Sequence, residues 1–195
     1  MEHSPSDLVA CGAIILLGFV VIPIWMAMGL ADYFCHRRAD IEHTAGTRES
    51  VLHLLQFGLV GIPLTAALFF RVNAGLLLLI AVFVVMHHAV AYVDVRFANG
   101  TRDVRPAEQM VHSFLELLPI AAFLLVATLE FGQLQAVAQL GREPLDLGMR
   151  LRNPPLPSWY IVGVLLTGFF VNFSPYVEEL IRCVRVGLRK QKSNL

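Results

Sequence analysis

The stretch ESVLHLLQFGLVGIPLTAALFFRVNAGLLLLIAVFVVMHHAVAYVD, Glu49–Asp94, holds two apolar runs separated only by Arg71-Val72-Asn73. Each run, Val51–Phe70 and Ala74–Val93, has about the 20 residues that a helix needs to cross a bilayer. A connection this short joins them as a tight antiparallel helical hairpin. Three further runs have the same character, roughly Leu8–Asp32, Val111–Leu129 and Trp159–Ile181. The expected fold is therefore all-α, a single domain over residues 1–195 built as an integral membrane bundle of five transmembrane helices.

Composition agrees with this reading. Hydrophobic residues make up 56% of the 195 positions and charged residues only 15%, with no net charge. A soluble domain of this length carries about a quarter charged residues. The neutral balance gives no reason to expect nucleic acid as a partner, whereas membrane lipid is one by construction. Cys11, Cys35 and Cys183 have no paired spacing and read as small apolar residues in helices. The segment before Cys11 lacks the basic and apolar parts of a cleavable signal, so the first run is expected to be a retained anchor.

Between the fourth and fifth runs lies a mixed segment, 130–158, with Gly141, Pro144, Pro154, Pro155 and Pro157. It reads as an external loop with a short interfacial helix near Leu134–Leu140, and Trp159 and Tyr160 follow it as belt aromatics. Basic residues give the orientation. Eleven of the 15 Lys and Arg fall in the stretches that are cytoplasmic if the N-terminus is outside. Positive residues collect on the cytoplasmic side, which places the C-terminus inside. A bacterial inner membrane is the expected location.

Histidine placement carries the chemistry. Three histidines have a carboxylate four residues earlier, Asp32/His36, Glu49/His53 and Glu108/His112. Residues four apart share a helical face, so each pair can point at one place. With 15 acids among 195 residues, fewer than one such pair is expected by chance. A fourth set, His87-His88 with Asp94, ends the third run. His87 lies seven before Asp94 on the same face and is the better ligand candidate, while His88 points away by about 100°. With alternating helix directions all four sets meet at the same, cytoplasmic, end.

Four helices that each give a carboxylate and an imidazole have the ligand arithmetic of a two-metal site. Ionisable groups at this depth are costly unless they pair, face water or bind an ion. Imidazole with carboxylate suits iron, zinc or manganese, with iron expected first. Asp32, His36, Glu49, His53, His87, His88, Asp94, Glu108 and His112 are the candidate ligands. Glu116, four after His112, is a candidate acid or base beside them, and Gln56 a candidate supporting group. Glu42 is an extra ligand if the second helix starts early, and Arg37, Arg38, Arg48, Arg102 and Arg105 can orient ligands or bind lipid headgroups. The plainer reading of the acid-His pairs is hydrogen bonding between helix ends.

Other polar residues read as structural. His3 and His43 are expected at the surface, and Tyr33 and Cys35 in packing. Pro23, Pro63, Pro119 and Pro175 are expected as tolerated kinks. Glu178 and Glu179 are expected at headgroup level, with the fifth helix outside the ligand set.

The pattern resembles the carboxylate-bridged dimetal proteins of ferritin-like four-helix bundles, including the membrane alternative oxidases. Those use Glu-x-x-His on two helices, whereas here one more residue separates acid from histidine. It is also similar in ligand logic to membrane desaturases and hydroxylases, though only His87-His88 matches part of a histidine box. The resemblance covers about 80 residues, from Asp32 to Glu116. It implies a diiron oxidoreductase that activates oxygen and acts on a lipid, an apolar small molecule or a quinol, with a quinol or a protein as electron donor. A zinc metallohydrolase of lipid-like substrates and a non-enzymatic haem or metal carrier are the alternatives.

Overall fold

The computed structural model describes residues 4–193, and it is helical throughout apart from its loops, with no strand among the described residues. Five helices are long and apolar enough to cross a membrane. The first span consists of α1 (Pro5–Leu16) and α2 (Ile22–Arg38), joined without a break by a π-helical segment, Leu17–Val21. Then come α3 (Thr47–Phe69), α4 (Ala74–Thr101) and α5 (Pro106–Leu129), a short α6 (Phe131–Val137), and the fifth span. That last span is α7 (Ser158–Thr167) and α8 (Ser174–Ser193), joined by the π segment Gly168–Phe173.

Burial is inverted relative to a water-soluble protein. Large apolar side chains such as Phe19, Val85, Leu117 and Leu124 stand exposed on the outer surface. Asp32, His36, Glu49, Ser50, His53, Asp94, Glu108 and Glu179 are all buried. An apolar exterior around a polar interior is stable in hydrocarbon and not in water. Five helices with this distribution are those of a membrane protein.

The spans close into a ring. Helix α2 packs on α5, α5 on α4 and α4 on α3, and the fifth span closes the ring between α3 and α2. Its seam with the first span is polar and close. Tyr160 Oη donates to Gly18 O at 3.1 Å, Asn172 Nδ2 to Met26 O at 3.0 Å, and Tyr176 Oη to Gly29 O at 3.1 Å. A Cβ on Gly29 would stand 2.2 Å from Asn172 Nδ2, so only glycine lets the two helices approach.

The four prolines behave in two ways. Pro23 and Pro175 each lack the N–H that would bond the carbonyl four residues back, and those carbonyls, of Phe19 and Val171, lie inside the two π segments. Pro63 and Pro119 sit within helices that continue as α.

Two boundaries differ from the sequence reading, and one loop is more firmly held. Helix α4 runs about two turns past Val93, since Ala98 is buried and Phe97 carries the Arg48 guanidinium 4.5 Å from its ring centroid. The short helix starts at Phe131, separated from α5 only by Glu130. The loop that follows is tied to the α3–α4 hairpin. Arg71 N donates to Arg150 O and Arg152 N to Phe69 O, both at 2.8 Å, and Asn73 Nδ2 reaches Gly148 O at 2.7 Å.

Candidate metal centre

The last turns of α2, the first turns of α3 and α5, and the mid-length of α4 and α8 converge at one end of the ring. Glu49 and Glu108 occupy the first turns of their helices, and His36 the last turn of α2. Carboxylates at helix N-termini and a basic group at a C-terminus are the arrangement that helix dipoles favour.

At the centre, the rings of His36 and His53 stack with centroids 4.2 Å apart and planes 7° from parallel. Glu179 spans both. Its two oxygens each lie 3.0 Å from a histidine Nδ1, one from His36 and one from His53. An ionised carboxylate only accepts, so both Nδ1 atoms carry a proton, and in the neutral rings both Nε2 atoms present lone pairs to the other side.

Those lone pairs meet oxygens. His36 Nε2 lies 3.4 Å from Asp32 Oδ1 and 3.7 Å from Glu108 Oε1. His53 Nε2 lies 3.2 Å from Asp94 Oδ2 and 4.0 Å from Glu49 Oε1. His112 Nε2 is 3.0 Å from Asp32 Oδ1. Yet Asp32 Oδ1, Asp94 Oδ1 and the Nε2 atoms of His36 and His53 are buried without a hydrogen-bond partner. Buried acceptors turned toward one another repel unless a cation lies among them. Among the described residues five sets of donor atoms fall within 4.8 Å of one another, and three of them lie on the Nε2 side of the stacked rings: Asp32/His36/His112, Glu49/His53/Asp94, and His36/Glu49/Glu108. The first two hold one stacked histidine each, and the third links them; the other two are His36/His53/Glu179 itself and the surface group Asp40/Glu42/His43. The residues present could hold a metal ion.

Neighbouring groups hold this set in place. The Arg102 guanidinium, its side chain 3% exposed, lies between Glu49 and Glu108, with Nη2 2.5 Å from Glu49 Oε1 and Nη1 3.0 Å from Glu108 Oε2. Burial opposes its charge, but the hydrogen bonds to Glu108 and Glu49 outweigh it and raise its pKa above the usual arginine value. Of the five buried carboxylates Asp32, Glu49, Asp94, Glu108 and Glu179, only Glu49 and Glu108 touch this guanidinium. Gln56 Nε2 donates to Asp94 Oδ2 at 3.0 Å, and Tyr176 Oη lies 3.2 Å from Asp32 Oδ2. Of the arginines that sequence left between ligand orientation and lipid contact, Arg102 is the one that bonds two of the candidate ligands, Glu49 and Glu108.

Seven of the nine candidate ligands come together: Asp32, His36, Glu49, His53, Asp94, Glu108 and His112. The two adjacent histidines of α4 do not join them in any of the donor sets among the described residues. Both ring nitrogens of His88 lie against backbone oxygens, Val84 O at 2.7 Å and Glu116 O at 2.9 Å, so neither is turned toward the donor sets. His87 is buried about two turns from Asp94, on the wall of a cavity. Glu42 lies in the α2–α3 loop and pairs with Arg182. His43 pairs with Asp40 at the surface, as expected, and His3 lies outside the described residues.

The fifth span corrects the sequence reading most. Glu178 is half-exposed and bonds Tyr33 and Arg37, as a headgroup-level residue would. Glu179 is fully buried, because closing the ring puts α8 between α2 and α3. Its signal was present in the spacing. Asn172, Tyr176, Glu179 and Cys183 recur at intervals of four, three and four, and all are buried.

From this cluster an otherwise apolar cavity of about 620 Å³ runs into the bundle. Asp32, His53, Asp94 and His112 form its polar end. Ile62 and Phe169, both on its wall, are also about half-exposed on the outer face, so it reaches the lipid-facing surface between α3 and the fifth span. No family model matches the chain, and no curated protein or solved structure matches it.

Proposed function

We propose that this protein is a metal-dependent membrane oxidoreductase that holds two metal ions, iron before zinc or manganese, and oxidises a lipid or apolar small molecule. The observation that carries this reading is the set of buried nitrogen and oxygen atoms without hydrogen-bond partners on Asp32, His36, His53 and Asp94, at the polar end of a mostly apolar cavity. Asp32, His36 and His112 would hold one ion, and Glu49, His53 and Asp94 the other, with Glu108 between them. Two dications offset the charge that Arg102 leaves unbalanced among five buried carboxylates. Such a pair of ions supplies oxygen-binding and redox chemistry in a dry site.

The chain's own residues define the rest. Glu179 fixes the imidazole tautomers and ring planes, and Arg102 fixes Glu49 and Glu108. The cavity wall excludes water and admits an apolar chain from the side. The positive-inside distribution of arginine supports a centre near the cytoplasmic face, within reach of a soluble electron-donor protein or of a quinol from the membrane.

Metal analysis of purified protein tests the proposal. About two iron per chain, with a visible spectrum that changes on reduction and on reoxidation by air, is the expected result. Stoichiometric zinc without redox response overturns oxidation and favours hydrolysis. For that second reading, Glu116 lines the cavity one turn from His112 as a candidate base.

A further inference from the structure

His87 is the one candidate ligand that neither joins the cluster nor bonds anything else. It is 4% exposed, lies on the cavity wall, and neither ring nitrogen has a hydrogen-bond partner. The backbone of Leu115 and Gln56 approaches the ring closely enough to interact weakly, but makes no well-formed hydrogen bond with either nitrogen. An imidazole without a well-formed hydrogen bond inside a membrane bundle is costly to keep, which makes a site the natural explanation.

Its position sets a length. His87 and Asp94 share a face of α4 seven residues apart, which is about 10 Å along the helix axis. A molecule seated in the cavity can therefore touch His87 with one group while a point several carbons away lies at the cluster. Its chemistry sets a class. A neutral imidazole can donate to an oxygen or accept from a hydroxyl. Glu116 also lines the cavity, and among the described residues its carboxylate makes no ion pair or hydrogen bond. A ligand carboxylate would have to leave its water behind to enter this space, and no Lys or Arg among the described residues lines the cavity to pair with it.

We propose that His87 is the polar anchor for the substrate, and that the cavity selects long apolar molecules bearing one uncharged oxygen, an alcohol rather than a hydrocarbon or a carboxylate. This rests on the cavity being the substrate site of the proposed oxidoreductase. The role of His87 is binding, not metal ligation.

Trp25 lines the cavity, whereas Trp159 is exposed and outside it, so Trp25 fluorescence in W159F protein reports occupancy. Three brominated quenchers serve as probes: 11-bromo-1-undecanol, 1-bromoundecane and 11-bromoundecanoate. The alcohol is expected to quench at concentrations about tenfold below the other two, the worth of one well-made hydrogen bond. In H87F the advantage should vanish with metal content unchanged, and in H87Q it should be largely kept. Equal quenching by all three probes in protein with His87 intact overturns the proposal, and so does an alcohol preference that survives H87F. Because the parent protein alone gives the first result, a variant that fails to fold does not rescue the idea. Full metal content without alcohol preference removes the anchor and leaves the metal centre standing. Alcohol preference in protein that binds no metal removes the metal centre and leaves the anchor.

Discussion

His36 and His53 come from different spans, yet they stack 4.2 Å apart with rings 7° from parallel, and one carboxylate, Glu179, accepts from both. Two imidazoles held this way cannot rotate independently. Glu179→Gln is expected to weaken metal binding by about 10–100-fold, the usual effect of losing a carboxylate behind a ligating histidine. Glu179→Ala should be worse, since it leaves two buried N–H groups unpaired. Competition with a chromogenic chelator measures both. Unchanged affinity in Glu179→Ala would show that the two histidines do not act as ligands.

The converging donor set makes different demands on neighbouring histidines. His53→Ala and Glu108→Ala should each lower the metal content of purified protein, by removing a member of a donor set. His88→Ala should leave metal content intact, because its nitrogens lie against backbone oxygens of α4 and α5. It should cost about 1 kcal/mol of stability instead. Elemental analysis beside a thermal melt separates the two behaviours, and full metal in both His53→Ala and Glu108→Ala would remove the site as drawn.

Arg102 stabilises the cluster before any metal arrives. Its fork lies between two carboxylates that are otherwise buried side by side. Removing one partner from a buried ion cluster costs roughly 3–5 kcal/mol. Arg102→Ala should therefore lower the melting temperature of chelator-treated protein sharply, while added metal recovers much of the loss by neutralising Glu49 and Glu108. A variant equally stable with and without metal would show that metal and Arg102 do not share those carboxylates.

How far these features were legible depended on which forces set them. Hydropathy marked all five spans, because length and apolarity are all that bilayer crossing requires. Spacing of four found Asp32/His36, Glu49/His53 and Glu108/His112, because partners within one helix share a face wherever that helix goes. It could not rank His87 against Glu179, since that depends on which helices become neighbours. The fifth span entered the ring through Gly29 and Asn172, a contact between residues 143 positions apart with no local trace. Asp94 joins one of the donor sets and His87 does not, for a related reason. A shared helical face fixes direction but not depth, and two turns of α4 separate a group in the cluster from one on the cavity wall.

The cavity gives the sharpest separation between metal and substrate. Gly58 lies on its wall, and a Cβ built there meets nothing within 4 Å. A larger side chain at this position therefore projects into space instead of into a neighbouring helix. Gly58→Leu should place a branched side chain across the route from Ile62 toward His53 without disturbing any ligand. It also exchanges a poor helix former for a good one, which offsets part of any strain. Metal content and the reduced-minus-oxidised spectrum should match the parent protein, while quenching of Trp25 by 11-bromo-1-undecanol should require at least about tenfold more probe, the loss that follows when roughly 1.4 kcal/mol of apolar contact is denied. Gly58→Ala, which adds a single methyl, should fall between the two. Unaltered quenching in Gly58→Leu would mean that the probe reaches Trp25 by a path other than this cavity.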